Sequence, residues 1–238
     1  MFLIVTMAGR YQRFLDEGFK SPKYLLPWGE RTILAKILSE LNNDRVFQDV
    51  ILVANKRDEA YMPHVRAVME GNDIDLKNLI LTHDTTGQVE TTIIGIRALE
   101  KLYGETDNPI VIHNIDTILL HRNFREIEAS LKFNAGYIDI FGANNKDYSY
   151  VLIDETRKVT EIAEKIVVSD LATSGLYAFK SSCTFKKYAT PDDIFISSLF
   201  KRMIANGELI VSSERYSESE TIVLGTPEEY MNASLTLL

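Results

Sequence analysis

Short apolar runs recur through the first half of the chain and predict strands. Runs of four or five residues that are almost continuously apolar are typical of strands buried on both faces of a sheet. They lie at Phe2–Thr6, Val50–Ala54, Leu79–Thr82 and Pro109–His113.

Helical patterns separate these runs. The apolar residues between Ile33 and Leu41 fall at positions i, i+1, i+4, i+5 and i+8, on one face of an amphipathic helix. A similar pattern follows Gly87, and a helix with a more polar face is predicted over Phe124–Phe133. This alternation predicts right-handed crossovers and a mostly parallel sheet with helices on both faces.

The second half of the chain has a different pattern, in which polar and apolar residues alternate more strictly. It predicts antiparallel or mixed strands that extend the sheet and supply one wall of a site. These strands are Tyr137–Phe141, Tyr150–Ile153, Val159–Ile162 and Ser174–Phe179. Near the end, Thr226–Glu229 combines an N-cap residue, a proline at the first helical position and a capping box.

No internal repeat, low-complexity tract or flexible linker interrupts the chain. We therefore predict one domain over residues 1–238, made of a first half (1–133) and a lobe (134–238). The chain's 238 residues, 45% hydrophobic and 25% charged, exclude wholesale disorder and a fibrous protein.

Net charge and cysteine content narrow the class of protein. A formal net charge of −8 makes general nucleic-acid binding a poor hypothesis, although a local pocket can still bind anions. The single cysteine, Cys183, excludes an internal disulfide and fits a reducing compartment. We expect its thiol to be packed.

The chain shows no segment typical of secretion or membrane insertion. The apolar stretch Met1–Val5 is too short for a signal peptide, and no later run approaches the ~20 residues that span a bilayer. We expect a soluble, cytoplasmic protein without a membrane partner.

A long, basic connection follows the first predicted strand. Gly9 and Lys23 are 14 positions apart, whereas strand-to-helix loops commonly have about two to six residues. We call residues 9–23 the basic loop. At the carboxyl end of a parallel strand, Gly9 would let backbone amides approach phosphate, and Arg10, Arg13 and Lys23 would add positive charge. A tight turn followed by a solvated basic loop explains the same pattern equally well.

Two further candidates favour ordinary structural roles. The four histidines, His64, His83, His113 and His121, have no spacing typical of a zinc site. Trp28 could stack on a base, but packing beneath the loop is the favoured interpretation.

Six segments resemble motifs of the sugar-phosphate nucleotidyltransferase superfamily and occur in the family's order. They are Ala8–Pro27 (Ala-Gly, Arg-Phe, Pro-Lys and Leu-Leu-Pro), Gly87–Thr91, His113–Asp116, Glu164–Lys165, Thr173–Tyr177 and Leu224–Tyr230. The resemblance implies an α/β fold: a Rossmann-like three-layer sandwich with a mixed, mostly parallel sheet, the nucleotide-diphospho-sugar transferase fold. It also implies a nucleotide-binding half (1–133) and an acceptor-binding lobe (134–238).

The resemblance implies a reaction as well. A nucleoside triphosphate and a phosphorylated small molecule would give a nucleoside-diphosphate conjugate and pyrophosphate. Because two anions must be brought together, clustered cations are the main requirement. Arg13 would neutralise the leaving pyrophosphate, Lys23 the α-phosphate and Lys165 the incoming phosphate.

Other motif residues would bind the two substrates and a metal. The implied nucleotide-binding residues are Met7, Ala8, Gly9, Arg10, Gly87 and Gln88. The implied acceptor-binding residues are Tyr148, Ser149, Tyr150, Glu164, Ser174 and Gly175. Asp116 would bind Mg²⁺, which prefers oxygen ligands and keeps several waters; a turn or N-cap role is the alternative.

Several positions depart from the family pattern. Tyr11 stands where the first loop usually has a second glycine, and Val223 where a late aspartate often completes the metal site. Thr173 replaces an asparagine, and Asp147–Tyr150 replaces a Tyr-Gly pair. The departures on the acceptor side argue against a standard glucose-1-phosphate enzyme.

The nearest family patterns are short proteins of capsule and surface-polysaccharide pathways, some of them cytidylyltransferases. They favour CTP over UTP or dTTP as the substrate. Two alternatives stay open: a glycosyltransferase that uses a nucleotide sugar, and a nucleotide-binding regulatory protein with impaired catalysis. An oligomer is compatible with the sequence.

Overall fold

The computed structural model describes residues 1–237, in which the predicted alternation of strands and helices is present. The strands are β1 (Phe2–Met7), β2 (Pro27–Trp28), β3 (Arg31–Thr32), β4 (Asp49–Asn55), β5 (Leu79–Thr82), β6 (Ile110–Asn114), β7 (Thr117–Leu119), β8 (Gly136–Gly142), β9 (Ser149–Ile153), β10 (Val159–Glu164), β11 (Leu171–Phe179), β12 (Ile210–Tyr216) and β13 (Thr221–Val223). The helices are α1 (Gln12–Asp16), α2 (Ile33–Leu41), α3 (Met62–Glu70), α4 (Gln88–Tyr103), α5 (Phe124–Ser130), α6 (Ser182–Tyr188), α7 (Ile196–Ala205) and α8 (Pro227–Leu235).

A nine-stranded sheet joins both halves of the chain. Its main path is β10-β9-β11-β6-β1-β4-β5, and β8 pairs with both β11 and β12. The pairs β6-β1, β1-β4 and β4-β5 are parallel, whereas β11 is antiparallel to β6, β8 and β9. The prediction of a mixed sheet with antiparallel strands in the second half is therefore confirmed.

Alternate residues of the central strands enter two separate cores. On β1, Leu3 and Val5 pack with α2, α3 and α5 on one face, while Phe2 and Ile4 pack with α4, α6 and α7 on the other. Both faces of the strand are buried, which explains its continuously apolar sequence. Helix, sheet and helix form the three predicted layers.

Two predictions about single side chains have opposite outcomes. Trp28 is buried in the core of the α2 face, as favoured above. The expectation that Cys183 is packed is wrong, because Cys183 lies exposed on α6. One apolar face is enough to dock a helix this short, so its other positions face water.

Helix length also bears on membrane insertion. Within residues 1–237, every helix is too short or too polar to cross a bilayer.

Candidate functional site

Two cavities adjoin at the carboxyl ends of the parallel strands β1 and β6. The first has a volume of about 570 Å³ and the second about 330 Å³. Four residues line both cavities: Gln88, Asn114, Asp116 and Phe195. A ligand in one cavity would therefore meet a ligand in the other at this boundary.

The first cavity contains all six residues predicted to bind the nucleotide. Met7, Ala8, Gly9, Arg10, Gly87 and Gln88 line it. They come from the end of β1, the start of the basic loop and the start of α4. The structure brings them together, and their role in binding stays a prediction.

Arg57, which follows β4, restrains the backbone at the start of the basic loop. The Arg57 guanidinium donates hydrogen bonds to the carbonyl oxygens of Ala8 (3.0 Å) and Gly9 (2.9 Å) and to Asp84 (3.0 Å). Asp84 also forms an ion pair with Arg10 at 3.0 Å. With the carbonyls directed at Arg57, the loop backbone is restrained by contacts within the protein.

Gly87 allows α4 to begin against another segment of the chain. A Cβ atom at this position would overlap the backbone of Ile194, so only glycine fits here. The amide of Gln88 donates to the carbonyl of Ile194 at 2.8 Å, and its side-chain oxygen accepts from the amide of Ile196 at 3.4 Å. The start of α4 and the start of α7 therefore form one wall.

Lys23 and Asp116 meet at the boundary of the two cavities. The Lys23 ammonium donates to Asp116 Oδ2 at 2.9 Å, and the carboxylate side chain remains 33% exposed. Burial alone would raise the pKa of Asp116, but the charge and hydrogen bond of Lys23 bring that pKa below its usual value. Asp116 is therefore ionised at neutral pH and accessible to a ligand.

The second cavity contains five of the six residues predicted to bind the acceptor. Tyr148, Ser149, Glu164, Ser174 and Gly175 line it, together with Lys165. Tyr150 was placed there wrongly: it is fully buried, packs against Phe141 and Ala172, and donates to the carbonyl of Asn145 at 2.8 Å.

Glu164 and Lys165 are held between β9 and the start of α7. Glu164 accepts hydrogen bonds from Ser149 and, at 2.7 Å, from Ser197. The Lys165 amide donates to the carbonyl of Tyr148 at 3.1 Å, and its ammonium lies 5.1 Å from the centre of the Phe195 ring. A cation over an aromatic ring keeps its charge while its position is restrained.

Arg13 lies elsewhere than the resemblance suggests. It lines the second cavity, not the first, and pairs with the exposed carboxylate of Asp147 at 3.6 Å. The left-handed turn at Tyr11 begins α1, and this short helix carries Arg13 to the acceptor side. The predicted role of Arg13 at the leaving pyrophosphate stays a prediction.

At Asp116 the protein offers a single carboxylate, so a magnesium ion there would also need phosphate oxygens of a bound substrate as ligands. Val223, in place of the second aspartate, is a half-buried wall of the second cavity. Within the described residues there is no group of three or more carboxylate, histidine or cysteine side chains suited to a metal. Because Mg²⁺ is commonly held by one or two carboxylates together with phosphate oxygens and water, Asp116 alone is compatible with it.

Glu229 lies close to Asp116 but is already engaged. One of its carboxylate oxygens accepts from the amide of Thr226 at 2.9 Å, and the other accepts from the Tyr148 hydroxyl at 2.8 Å. These contacts cap the start of α8 and fix the position of Tyr148 at the second cavity.

The sequence interpretation missed two groups of residues that shape the site. Asn55 ends β4, Arg57 and Asp58 follow it, and their position at the end of a predicted parallel strand was a usable signal. The segment Ile194–Ser197 carries no recognisable motif, and only its contacts with α4 and β10 reveal it.

Comparisons with known proteins agree with this architecture. A family model described as nucleotidyl transferase matches residues 4–237. A nucleoside-diphosphate-sugar pyrophosphorylase from Vibrio cholerae RC9 shares the fold with a TM-score of 0.82 and 22% identity, over 97% of this chain and 98% of that one. The inositol-1-phosphate CTP transferase from T. maritima gives a TM-score of 0.71 and 12% identity, over 99% and 94%.

A UDP-glucose pyrophosphorylase complexed with UDP-glucose gives a TM-score of 0.72 and 14% identity, over 99% of this chain and 97% of that one. No curated protein sequence matches the chain. These likenesses confirm the predicted nucleotide-diphospho-sugar transferase fold.

Proposed function

Because the chain belongs to the nucleotidyl transferase family, we propose that it transfers the cytidylyl group of CTP to a small phosphorylated acceptor. The observation that carries this proposal is the pair of cavities that meet at Lys23 and Asp116. Two phosphorylated molecules bound side by side would place their reacting phosphates at this boundary.

The reaction is an in-line displacement at phosphorus. An oxygen of the acceptor phosphate forms a bond to the α-phosphorus, and the bond from that phosphorus to the α,β-bridging oxygen breaks. Pyrophosphate leaves with the electron pair, so the protein needs no nucleophile of its own. Its contribution is to hold both anions in place and to neutralise their charge.

The cationic residues around the two cavities each have a proposed role in this reaction. The backbone at Gly9 and the Arg10 guanidinium bind the triphosphate in the first cavity. Lys23 neutralises the α-phosphate as charge shifts, and Lys165 binds the acceptor phosphate in the second cavity. Arg13 lies beside the acceptor.

Asp116 would hold Mg²⁺ in concert with phosphate oxygens and water. The bound ion would supply further charge neutralisation at the phosphates. The low pKa of Asp116 supports this role, since the carboxylate is ionised and open to both cavities.

The choice of CTP rests on the motifs. Gly87–Thr91 and Ser169–Tyr177 resemble those of short family variants in capsule and surface-polysaccharide pathways, some of which are cytidylyltransferases. A structural neighbour from T. maritima is itself a CTP transferase. We accordingly propose that the product is a precursor for surface polysaccharide.

A nucleotide-binding protein with impaired catalysis is the second candidate. Val223 stands where a second carboxylate would help to hold the metal, and its side chain has no oxygen to offer. In that case triphosphates would bind without turnover.

Pyrophosphate release tests both candidates. The purified protein with Mg²⁺ is incubated with CTP, UTP, dTTP, GTP or ATP against a panel of phosphorylated sugars, polyols and amino alcohols. We expect release with CTP and one acceptor class, its loss in EDTA, and its loss in folded Asp116→Asn protein. Triphosphate binding without release across the whole panel would favour the second candidate.

A further inference from the structure

A buried carboxylate lies beneath the basic loop and outside both cavities. Asp58, in the turn that follows β4, has a relative exposure of 1%. Its two oxygens accept hydrogen bonds from the hydroxyls of Tyr11 at 2.6 Å and Tyr24 at 2.9 Å. The proposed reaction makes no direct use of this group.

The two tyrosines lie near opposite ends of the basic loop. Tyr11 follows Gly9 and Arg10, and Tyr24 directly follows Lys23. A single carboxylate thus connects the two parts of the loop that line the first cavity.

The backbone at Tyr11 explains why an anchor is needed there. Its φ of 38° and ψ of 36° lie in the left-handed region, which favours glycine. Tyrosine adopts this conformation only where surrounding contacts hold it. The hydrogen bond to Asp58, with the Arg57 guanidinium 5.7 Å from the ring centre, provides those contacts.

The protonation of the two phenols suits this arrangement. Burial, together with the adjacent carboxylate of Asp58, raises the pKa of both Tyr11 and Tyr24 above the ordinary value. Both phenols therefore remain hydrogen-bond donors over the working range of pH. Each phenol can therefore donate its hydrogen bond to one oxygen of Asp58.

We propose that Asp58 is a positioning residue that holds both ends of the basic loop, through Tyr11 and Tyr24, in the conformation that binds a triphosphate. The ligand class rests on the function proposed above. The clamp itself, defined as Asp58, Tyr11 and Tyr24, is formed by protein groups alone, so it restrains the loop and lowers the cost of ordering it on binding.

Inorganic pyrophosphate with Mg²⁺ is a suitable probe because it requires no knowledge of the base. Isothermal titration compares the wild type with Tyr11→Phe and Tyr24→Phe, each of which removes one hydroxyl. We expect about tenfold weaker binding in each, as for one hydrogen bond to a charged group. Tyr103→Phe is the matched control, since its hydroxyl donates to Asp49 at 2.6 Å far from the loop.

Two further variants separate positioning from general stability. Tyr11→Gly accepts the left-handed backbone but lacks the phenol, and should bind pyrophosphate as weakly as Tyr11→Phe. Asp58→Asn keeps one acceptor oxygen, so it should lose about as much pyrophosphate affinity as either phenylalanine variant. Because Asp58 is buried, the two phenylalanine variants should melt somewhat below Tyr103→Phe, so affinity is measured well below the melting temperature of every variant.

Limited trypsin digestion without ligand tests the clamp independently of the proposed function. Arg10, Arg13 and Lys20 are exposed in the basic loop, and cleavage there should be several-fold faster in both phenylalanine variants than in Tyr103→Phe. Equal cleavage rates, or equal pyrophosphate affinity among all variants when the wild type binds pyrophosphate, would overturn the clamp. Faster cleavage in a protein whose wild type binds neither pyrophosphate nor CTP would instead retain the clamp and overturn the proposed function.

Discussion

At the residue scale, the contact between Lys23 and Asp116 concentrates opposite charges at the one place where both cavities open. The ion pair is only partly buried, so each partner remains available to a phosphate or a cation. The pair can therefore be reached by charged groups of a ligand in the first cavity.

Lys23 provides a direct test of that view. Lys23→Ala should lower kcat/KM about 10²–10³-fold, because one preorganised charge at the reacting phosphate is lost. Lys20→Ala, in the same loop and exposed, is the control and should retain normal turnover. Near-normal activity of folded Lys23→Ala protein in the pyrophosphate assay would remove Lys23 from the mechanism.

Gly175 has a backbone conformation and a close neighbour that both disfavour a larger side chain. Its φ is 86°, within the stretch of β11 where pairing to β8 shifts register, and a Cβ atom would lie 3.0 Å from Asn114 Nδ2. Gly175→Val should therefore melt at a lower temperature and bind the acceptor more weakly. The free energy of unfolding should fall by about 1–3 kcal/mol. A fully stable Gly175→Val protein with normal acceptor KM would show that neither the backbone nor the cavity depends on this glycine.

At the element scale, the segment Ile194–Ser197, which leads into α7, links the first and second cavities. Ile194 contacts the start of α4 on the nucleotide side, while Ser197 binds Glu164 on the acceptor side. Phe195 lines both cavities. This segment therefore positions residues of both cavities, although it supplies none of the proposed catalytic cations.

Ser197→Ala tests the acceptor side of this link. Glu164 would lose one of its two serine donors, so acceptor KM should rise about fivefold, as for one hydrogen bond, with triphosphate KM unchanged. Ser198→Ala is the neighbouring control, because Ser198 lines neither the first nor the second cavity. Steady-state kinetics with both substrates varied measures the two KM values. An equal rise in both would contradict a role of Ser197 confined to the acceptor.

At the scale of the whole molecule, a buried ion pair joins segments far apart in sequence. The Arg122 guanidinium pairs with Asp139 of β8 at 2.9 Å, donates to Thr221 of β13 at 2.6 Å, and lies 3.6 Å from the Tyr216 ring centre. Both charged side chains are almost inaccessible to solvent. The strand β13, which leads to Gly225 at the second cavity, is thereby fixed to the sheet.

Removing one partner of this pair should destabilise the whole fold. Arg122→Met or Asp139→Leu alone should each cost about 3–5 kcal/mol, because a buried charge is left unpaired. The double variant should lose less than the sum of the two. Urea unfolding measures all three, and strictly additive losses would mean that the two side chains do not act as a pair.

The sequence by itself determined the features that depend on neighbours along the chain. The alternating apolar patterns located the core strands, among them Leu79–Thr82 with its bounds unchanged, and the capping box at Thr226 is present as predicted. The motifs at strand ends converge because parallel strands direct their carboxyl ends to one edge of a sheet.

Only the tertiary structure decided which side chains meet across the fold. Tyr150 faces the core instead of the acceptor cavity because successive residues of a strand point to opposite faces, and the pairing of β9 sets which face is inside. Arg13 reaches the acceptor side through the turn at Tyr11, and Asp58 meets two tyrosines 47 and 34 positions away. Such contacts depend on distances in space between segments remote in sequence, and local patterns of polarity carry no record of those distances.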